Sequence, residues 1–220
     1  MTETEGRRYS GVSAEARRDE RRARFVDAAL TVAAREGVAA VSARSLCAES
    51  GLHARYFRET FDSPDQVLAE AFDAMAATVV ADARTAIASV PEGGADGIER
   101  KVRAGVHGSL AAMSADPRRA ALLMGADLHP GLRDRREALV DLLAGVMAGQ
   151  AAELLDDPPD PVDARLSARL IVVGGIDLAI AARAGRIDAS PERIEQIMVA
   201  GILGNRELTA VLRRLRGADG

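Results

Sequence analysis

One cysteine, Cys47, stands in 220 residues, so no internal disulfide can form. The three histidines are scattered at 53, 107 and 129, and with a single thiol they offer no spacing that would hold a metal. Tryptophan is absent and aromatics make up 3% of the chain. No alternating run of β-branched residues appears, which argues against a sheet. No stretch approaches the roughly 20 apolar residues of a membrane helix. The most apolar segment, Leu170 to Ala182, is too short and carries Asp177. The first residues, with Glu3, Glu5, Arg7 and Arg8, lack the apolar segment of a signal peptide. These absences predict a cytoplasmic protein with no membrane association, no metal and no cofactor.

Catalytic patterns are missing as well. Gly105-Val106-His107-Gly108-Ser109 superficially resembles a nucleophile string, but it has no strand–turn–helix setting. The glycine-containing strings around Gly145 and Gly174-Gly175 fall within helical segments and form no phosphate loop. Cys47 takes an inward position and is expected to be a small core residue. The expectation is that the chain is not an enzyme. Lysine is nearly absent: of 29 basic residues only Lys101 is one. An arginine bias of this kind follows from GC-rich coding as readily as from nucleic-acid binding. The net charge of −4 excludes a protein basic all over, but the charge that matters to DNA is local. Residues 1–62 hold 11 arginines against 10 acids, and the remainder is acidic.

With 48% hydrophobic and 28% charged residues the chain is a folded one. Alanine, leucine and arginine dominate, so the expected class is all-α, with about nine helices. An arm at 1–12, expected to be disordered, precedes a three-helix head at 13–62 and a larger helical body at 63–220. Ser13 is the expected N-cap of a helix ending at Gly37, with Phe25, Ala29, Val32 and Ala33 on one face. Ser42 caps a second helix, Gly51-Leu52-His53 makes a turn, and Ala54 to Phe61 forms a third. Ser63-Pro64-Asp65-Gln66 is a strong helix start, with Pro at the first position and a capping-box Gln. Later breaks at 91–94, 116–117, 129–131, 158–161 and 190–191 predict helices near 96–114, 118–127, 131–155, 162–184 and 191–216.

Residues 42–61 therefore form a helix-turn-helix. Burying Leu46, Leu52, Phe57 and Phe61 leaves Ala54, Arg55, Arg58 and Glu59 facing solvent. Two arginines on an exposed face suit guanine O6 and N7 in a major groove, although an ordinary solvated face would look the same. The order Arg24-Phe25-Val26-Asp27-Ala28-Ala29-Leu30, Glu36-Gly37, Ser45 to Leu52 and the continuation to Phe61 resembles the N-terminal domain of the TetR/AcrR family of transcriptional regulators. The resemblance covers about residues 20–70. It implies base contacts from Arg44, Arg55 and Arg58, with Ala54, and phosphate contacts from Ser42, His53, Tyr56 and Thr60. Three positions depart from the pattern: Arg58 replaces a usual Tyr, His53 a capping Ser, and Pro64 a phosphate-binding Lys. Arg7, Arg8, Arg17, Arg18, Arg21, Arg22 and Arg24 could add phosphate contacts as a group, although their acidic neighbours favour a solvated tail for any one of them.

The resemblance further implies a homodimer that acts on double-stranded DNA, a ligand cavity between helices four and eight, and a small-molecule effector. Ala168 to Ala184 is apolar nearly all round, and the last helix has two apolar sides. Leu170, Gly174, Gly175, Ile194, Met198 and Ile202 are the expected dimer contacts. Phe72 is the only aromatic after Phe61, so an aliphatic effector is favoured over a stacked planar one. Met75, Met113, Met124 and Met147, with Phe72, are candidate pocket walls, though methionine is often plain core filler. Asp127, His129 and His107 are candidates to orient a polar head group. A dimeric helical module with a degenerate helix-turn-helix and no DNA role is the competing reading.

Overall fold

A computed structural model of the chain describes residues 13–94 and 96–217, so the arm at 1–12 with Arg7 and Arg8 lies outside the described residues. No strand occurs among the described residues. Helix α1, Ala14–Glu36, starts where the Ser13 hydroxyl accepts the Ala16 N–H at 3.0 Å. Its buried side is Phe25, Ala28, Ala29, Val32 and Ala33. A single 3₁₀ turn, Val38–Ala40, leads to α2, Ala43–Ser50. Helix α3, Ala54–Thr60, follows the turn, and α4, Pro64–Ala88, carries the chain out of the head. At its start Ser63 accepts the Gln66 N–H at 3.2 Å, and the Gln66 side chain accepts Asp62 N–H at 2.8 Å.

The body continues with α5, Gly97–Ser114, α6, Arg119–Gly125, and α7, Pro130–Leu154. It then adds α8, Pro161–Arg183, α9, Pro191–Gly204, and α10, Leu208–Gly217. Helix α4 lies along α5 and α7, α7 along α8, and α9 along both α5 and α8. The expected final helix is interrupted by a 3₁₀ turn at Asn205–Glu207. Helix α10 buries no residue; it is tied down by Arg213 on Asp157 at 2.9 Å and Arg216 on Asp163 at 2.8 Å. No helix among the described residues is long and apolar enough to cross a membrane.

Head and body share one core. Phe25, Val67, Phe72, Leu122 and Leu132 belong to a single buried cluster that runs across the expected boundary at 62–63. Helix α1 packs directly against α4, and short helix α6 adds to that continuity by packing against α1 as well as α4, α7 and α8. Arg118, just before it, donates to Asp27 and to Thr31 Oγ1 on α1, each at 2.8 Å. At the other end of α6, Gly125 leaves a notch filled by Val38: a Cβ built on Gly125 would come within 2.5 Å of Val38 Cγ1. Valine is β-branched and has no spare rotamer with which to retreat. Gly125→Ala should therefore lower the unfolding free energy by about 1–3 kcal/mol in denaturant titration. Adding Val38→Ala should recover part of the loss, and strictly additive effects would refute the notch.

Candidate nucleic-acid interface and body cavity

The helix-turn-helix is built around Phe25. Its ring meets Phe57 edge-on at 5.5 Å and Phe61 edge-on at 6.1 Å, while Phe57 and Phe61 stack at 6.2 Å. Edge-to-face pairs of this kind add about 0.5–1.5 kcal/mol beyond area burial. Buried Leu46 fixes α2 on the same cluster. The α2–α3 turn passes through Gly51 at φ +65°, a left-handed conformation that favours glycine. Ser42 and Ser45 form a reciprocal capping box at the start of α2, in which the Ser42 hydroxyl accepts the Ser45 N–H at 3.1 Å. At the start of α3, His53 Nδ1 accepts the Arg55 N–H at 3.2 Å. His53 thus does the capping work of a serine and leaves Nε2 on its outer edge.

The arginines of α1 serve this scaffold. Arg24 donates to the carbonyl of Ser50 at the end of α2, and Arg18 to that of Glu59 near the end of α3 at 3.3 Å. Arg22 grips Glu70 of α4 with both arms of its guanidinium, and it lies over the Phe61 ring at 4.7 Å. Arg21 stacks over Tyr56 at 4.9 Å. Candidate phosphate ligands Arg18, Arg22 and Arg24 are therefore engaged in satisfying helix ends and joining helices, a use that sequence alone does not distinguish from a basic tail.

Ser42, Arg44, His53, Ala54, Arg55 and Arg58 all lie exposed. Arg44 and Arg58 make no ion pair with any described residue. Arg55 pairs with Glu59 at 3.0 Å, an exposed contact that is cheaply exchanged. Tyr56 is half-buried beneath Arg21 and beside Arg55, whose guanidinium is 5.4 Å from its ring. Thr60 departs from expectation: it is buried, and its hydroxyl donates to the Tyr56 carbonyl at 2.8 Å. It closes the last turn of α3 and is not at the exposed face.

A cavity of about 470 Å³ lies in the body, bounded by α4, α5, α7, α8 and α9. Of the expected wall residues it takes Met113 and Met147 only. Phe72 and Met75 belong to the solid core shared with the head, and Met124 is 45% exposed. Asp127 and His129 are at the α6–α7 joint, where His129 Nε2 is 3.4 Å from Asp65 of α4. His107 is exposed and pairs with Glu195 of α9 at 3.2 Å. None of these three lines the cavity. Lys101, Leu143, Ile171 and Val172 do, and no local sequence pattern marks them.

Four of the expected dimer contacts turn inward. Gly175, Ile194, Met198 and Ile202 line the cavity, with Met198 Cε against the bare face of Gly175. Leu170 and Gly174 are on the outer face of α8, where Leu170 is 76% exposed and continues an exposed apolar stripe through Val162 and Leu166. Ile197 is the corresponding exposed side chain on α9.

No protein-family model matches the chain, and no curated protein does. Solved structures do. A protein of Pseudomonas aeruginosa PAO1 assigned as a transcriptional regulator matches with TM-score 0.68 at 22% identity, over 90% of this chain and 94% of the other. A TetR-family transcription regulator of Marinobacter aquaeolei matches with TM-score 0.57 at 19% identity, over 86% and 96%. The transcriptional regulator FadR of Bacillus subtilis, solved in complex with stearoyl-CoA, matches with TM-score 0.62 at 13% identity, over 82% and 95%. The chain has the all-α fold of TetR-family regulators.

Cys47 reports on the interface. Burial holds its thiol above the ordinary range, and the nearby Arg58 charge draws it partly back. Its reaction with a chromogenic disulfide reagent should therefore rise at a higher pH than for a free thiol. Arg58→Ala should move that rise higher still, and an unmoved profile would place the Arg58 charge away from α2.

Proposed function

We propose that this chain, which has the fold of TetR-family regulators, is a DNA-binding transcriptional repressor. It acts as a homodimer on a pseudo-palindromic operator and is released by a small aliphatic ligand. The observation that carries the reading is the solvent face of α3. Arg55 and Arg58 stand opposite the buried pair Phe57 and Phe61, and Arg44 at the start of α2 is also exposed, with no ion pair among the described residues. Arginine offers a bidentate donor pair to guanine, and Ala54 at the start of α3 leaves room for a close approach to a base edge. Ser42, His53 and Tyr56 supply hydroxyl and imidazole donors at the rim, where phosphates would lie. Pro64 offers no cation, so Arg44 and Arg58 carry more of the electrostatic load than they would beside a lysine.

The outer stripe Val162, Leu166 and Leu170 with Ile197 supports the dimer. Large side chains exposed in a row favour burial against a second copy. Two-fold pairing there would set two α3 helices on one face of DNA, roughly 34–36 Å apart, as two half-sites one turn apart require. The cavity supports the sensing half: its wall is aliphatic, and FadR of Bacillus subtilis holds an acyl thioester within a comparable fold. Helix α6 would carry the signal, because Leu123 lines the cavity while Leu122 is in the core shared with α1.

Fluorescence anisotropy with duplexes from the chain's own upstream region tests the DNA role. Binding should weaken steeply with salt, and absence of binding even at low salt would refute it. Arg55→Ala and Arg58→Ala should each cost about 1–3 kcal/mol on the preferred site and broaden the motif recovered in a selection experiment. Light scattering should give a dimer, and Leu170→Glu should yield monomers that remain helical by circular dichroism. A monomeric parent protein would overturn the two-fold arrangement.

A further inference from the structure

The body cavity is not electrically neutral. Among the described residues its wall carries three cationic side chains, Lys101, Arg183 and Arg206, and no carboxylate, although acids outnumber bases by 33 to 29 in the whole chain. The remaining polar groups on the wall are uncharged: Ser109, Ser114, Ser167, Gln150 and Asn205. Everything else is aliphatic or methionine.

Lys101, the chain's single lysine, is the buried member of the three. Its side chain is 14% exposed, and Nζ is 2.9 Å from Glu92 Oε1, whose own side chain is 90% exposed. An ammonium withdrawn from water needs a counter-charge. Glu92 supplies one from outside, from the irregular segment between α4 and α5, and it loses almost no hydration in doing so. A solvated carboxylate on an irregular segment is a weak incumbent, because an exposed ion pair is worth little and Glu92 regains water when released. A carboxylate or phosphate brought in on an apolar chain is a stronger one, since burial of the chain adds attraction that Glu92 lacks. The His107–Glu195 pair joins α5 to α9, and Asn205 and Arg206, just past the end of α9, line the same cavity as Lys101.

We propose that the body cavity binds an anionic aliphatic amphiphile, whose head group displaces Glu92 from Lys101 while its chain occupies the space between α5, α7, α8 and α9. This rests on the body being a ligand sensor and adds to it the charge of the ligand and the residue that reads that charge. Arg206 adds a second positive charge to the cavity wall, and Arg183, held on the Pro117 carbonyl at 3.2 Å, contributes its field without changing partner. The same three charges exclude a cationic amphiphile of equal length.

Calorimetry on the full chain with four probes of matched chain length tests this: dodecanoate, dodecanol, dodecyltrimethylammonium and dodecanoyl-CoA. The anions should bind at least about tenfold more tightly than the alcohol, the usual scale of a hydrogen bond to a charged group, and the cation should not bind. Dodecanoate alone meeting that mark identifies a free carboxylate as the anion, and the thioester alone identifies its phosphates; either supports an anionic head group. Lys101→Met keeps the apolar stem and should abolish the preference for the anion while leaving the alcohol unchanged; Lys101→Arg should restore it. Glu92→Gln, which leaves the lysine and the cavity wall intact, should strengthen anion binding severalfold. Equal affinity for acid, thioester and alcohol, or a preference that survives Lys101→Met, overturns the head-group assignment and leaves the aliphatic cavity standing. Failure of all four probes overturns both, whereas the DNA role is judged separately by anisotropy.

Discussion

The contact of Phe25 with Phe57 and Phe61 sets the geometry on which the rest of the molecule depends. Phe57 comes from α3, Phe61 from just past its end and Phe25 from the middle of α1, so the rings lock α3 onto α1, while Leu46 seats α2 on the same cluster. Helix α3 has seven residues, too few to be stable in isolation. Its orientation is imposed by the burial of Phe57 and Phe61, which decides that Arg55 and Arg58 point outward. The arginines of α1 then bracket the result, with Arg18 and Arg24 closing carbonyl ends and Arg22 locking Glu70 at the head of α4.

Below the head, α6 faces two environments. One side closes on α1 through Arg118 and the Val38 notch, and the other contributes Ala120 and Leu123 to the cavity wall. Asp116 steadies the approach: the Arg118 guanidinium beside it holds its carboxyl below the ordinary range, so the ion pair at the start of α6 persists into mild acid. Helix α6 thus joins the cavity wall to α1 and to the 3₁₀ turn before α2.

Much of this was legible in sequence wherever a local rule determines structure. Ser13, Ser42 and Ser63 cap their helices, as expected of a hydroxyl before an apolar period, and proline opens α4, α8 and α9. The exposed set Ala54, Arg55 and Arg58 follows from burying aromatic residues four apart, and exposed Ser42 and Arg44 lie at the capped start of α2. The body was less legible because a helix that is apolar all round does not disclose which face meets which neighbour. One residue, a rotation of about 100°, separates Gly174 on the outside from Gly175 against Met198. His107 and His129 are candidates from sequence to orient a polar head group, yet they pair with carboxylates across helices that are far apart in the chain. No local pattern marks Lys101, because its place in the cavity wall is set by tertiary packing.

The Val38–Gly125 contact has a mechanical meaning. A β-branched side chain seated on a bare backbone has neither a rotamer to change nor a long stem to bend, so the joint cannot absorb displacement. A shift of α6 would bear directly on the 3₁₀ turn that leads to α2, where Ser42 and Arg44 are exposed. A joint made of long, charged side chains would yield to salt and thermal motion; this one is stiff by shape alone. The molecule therefore sets exchangeable ion pairs on its outer surface and a joint held by shape inside.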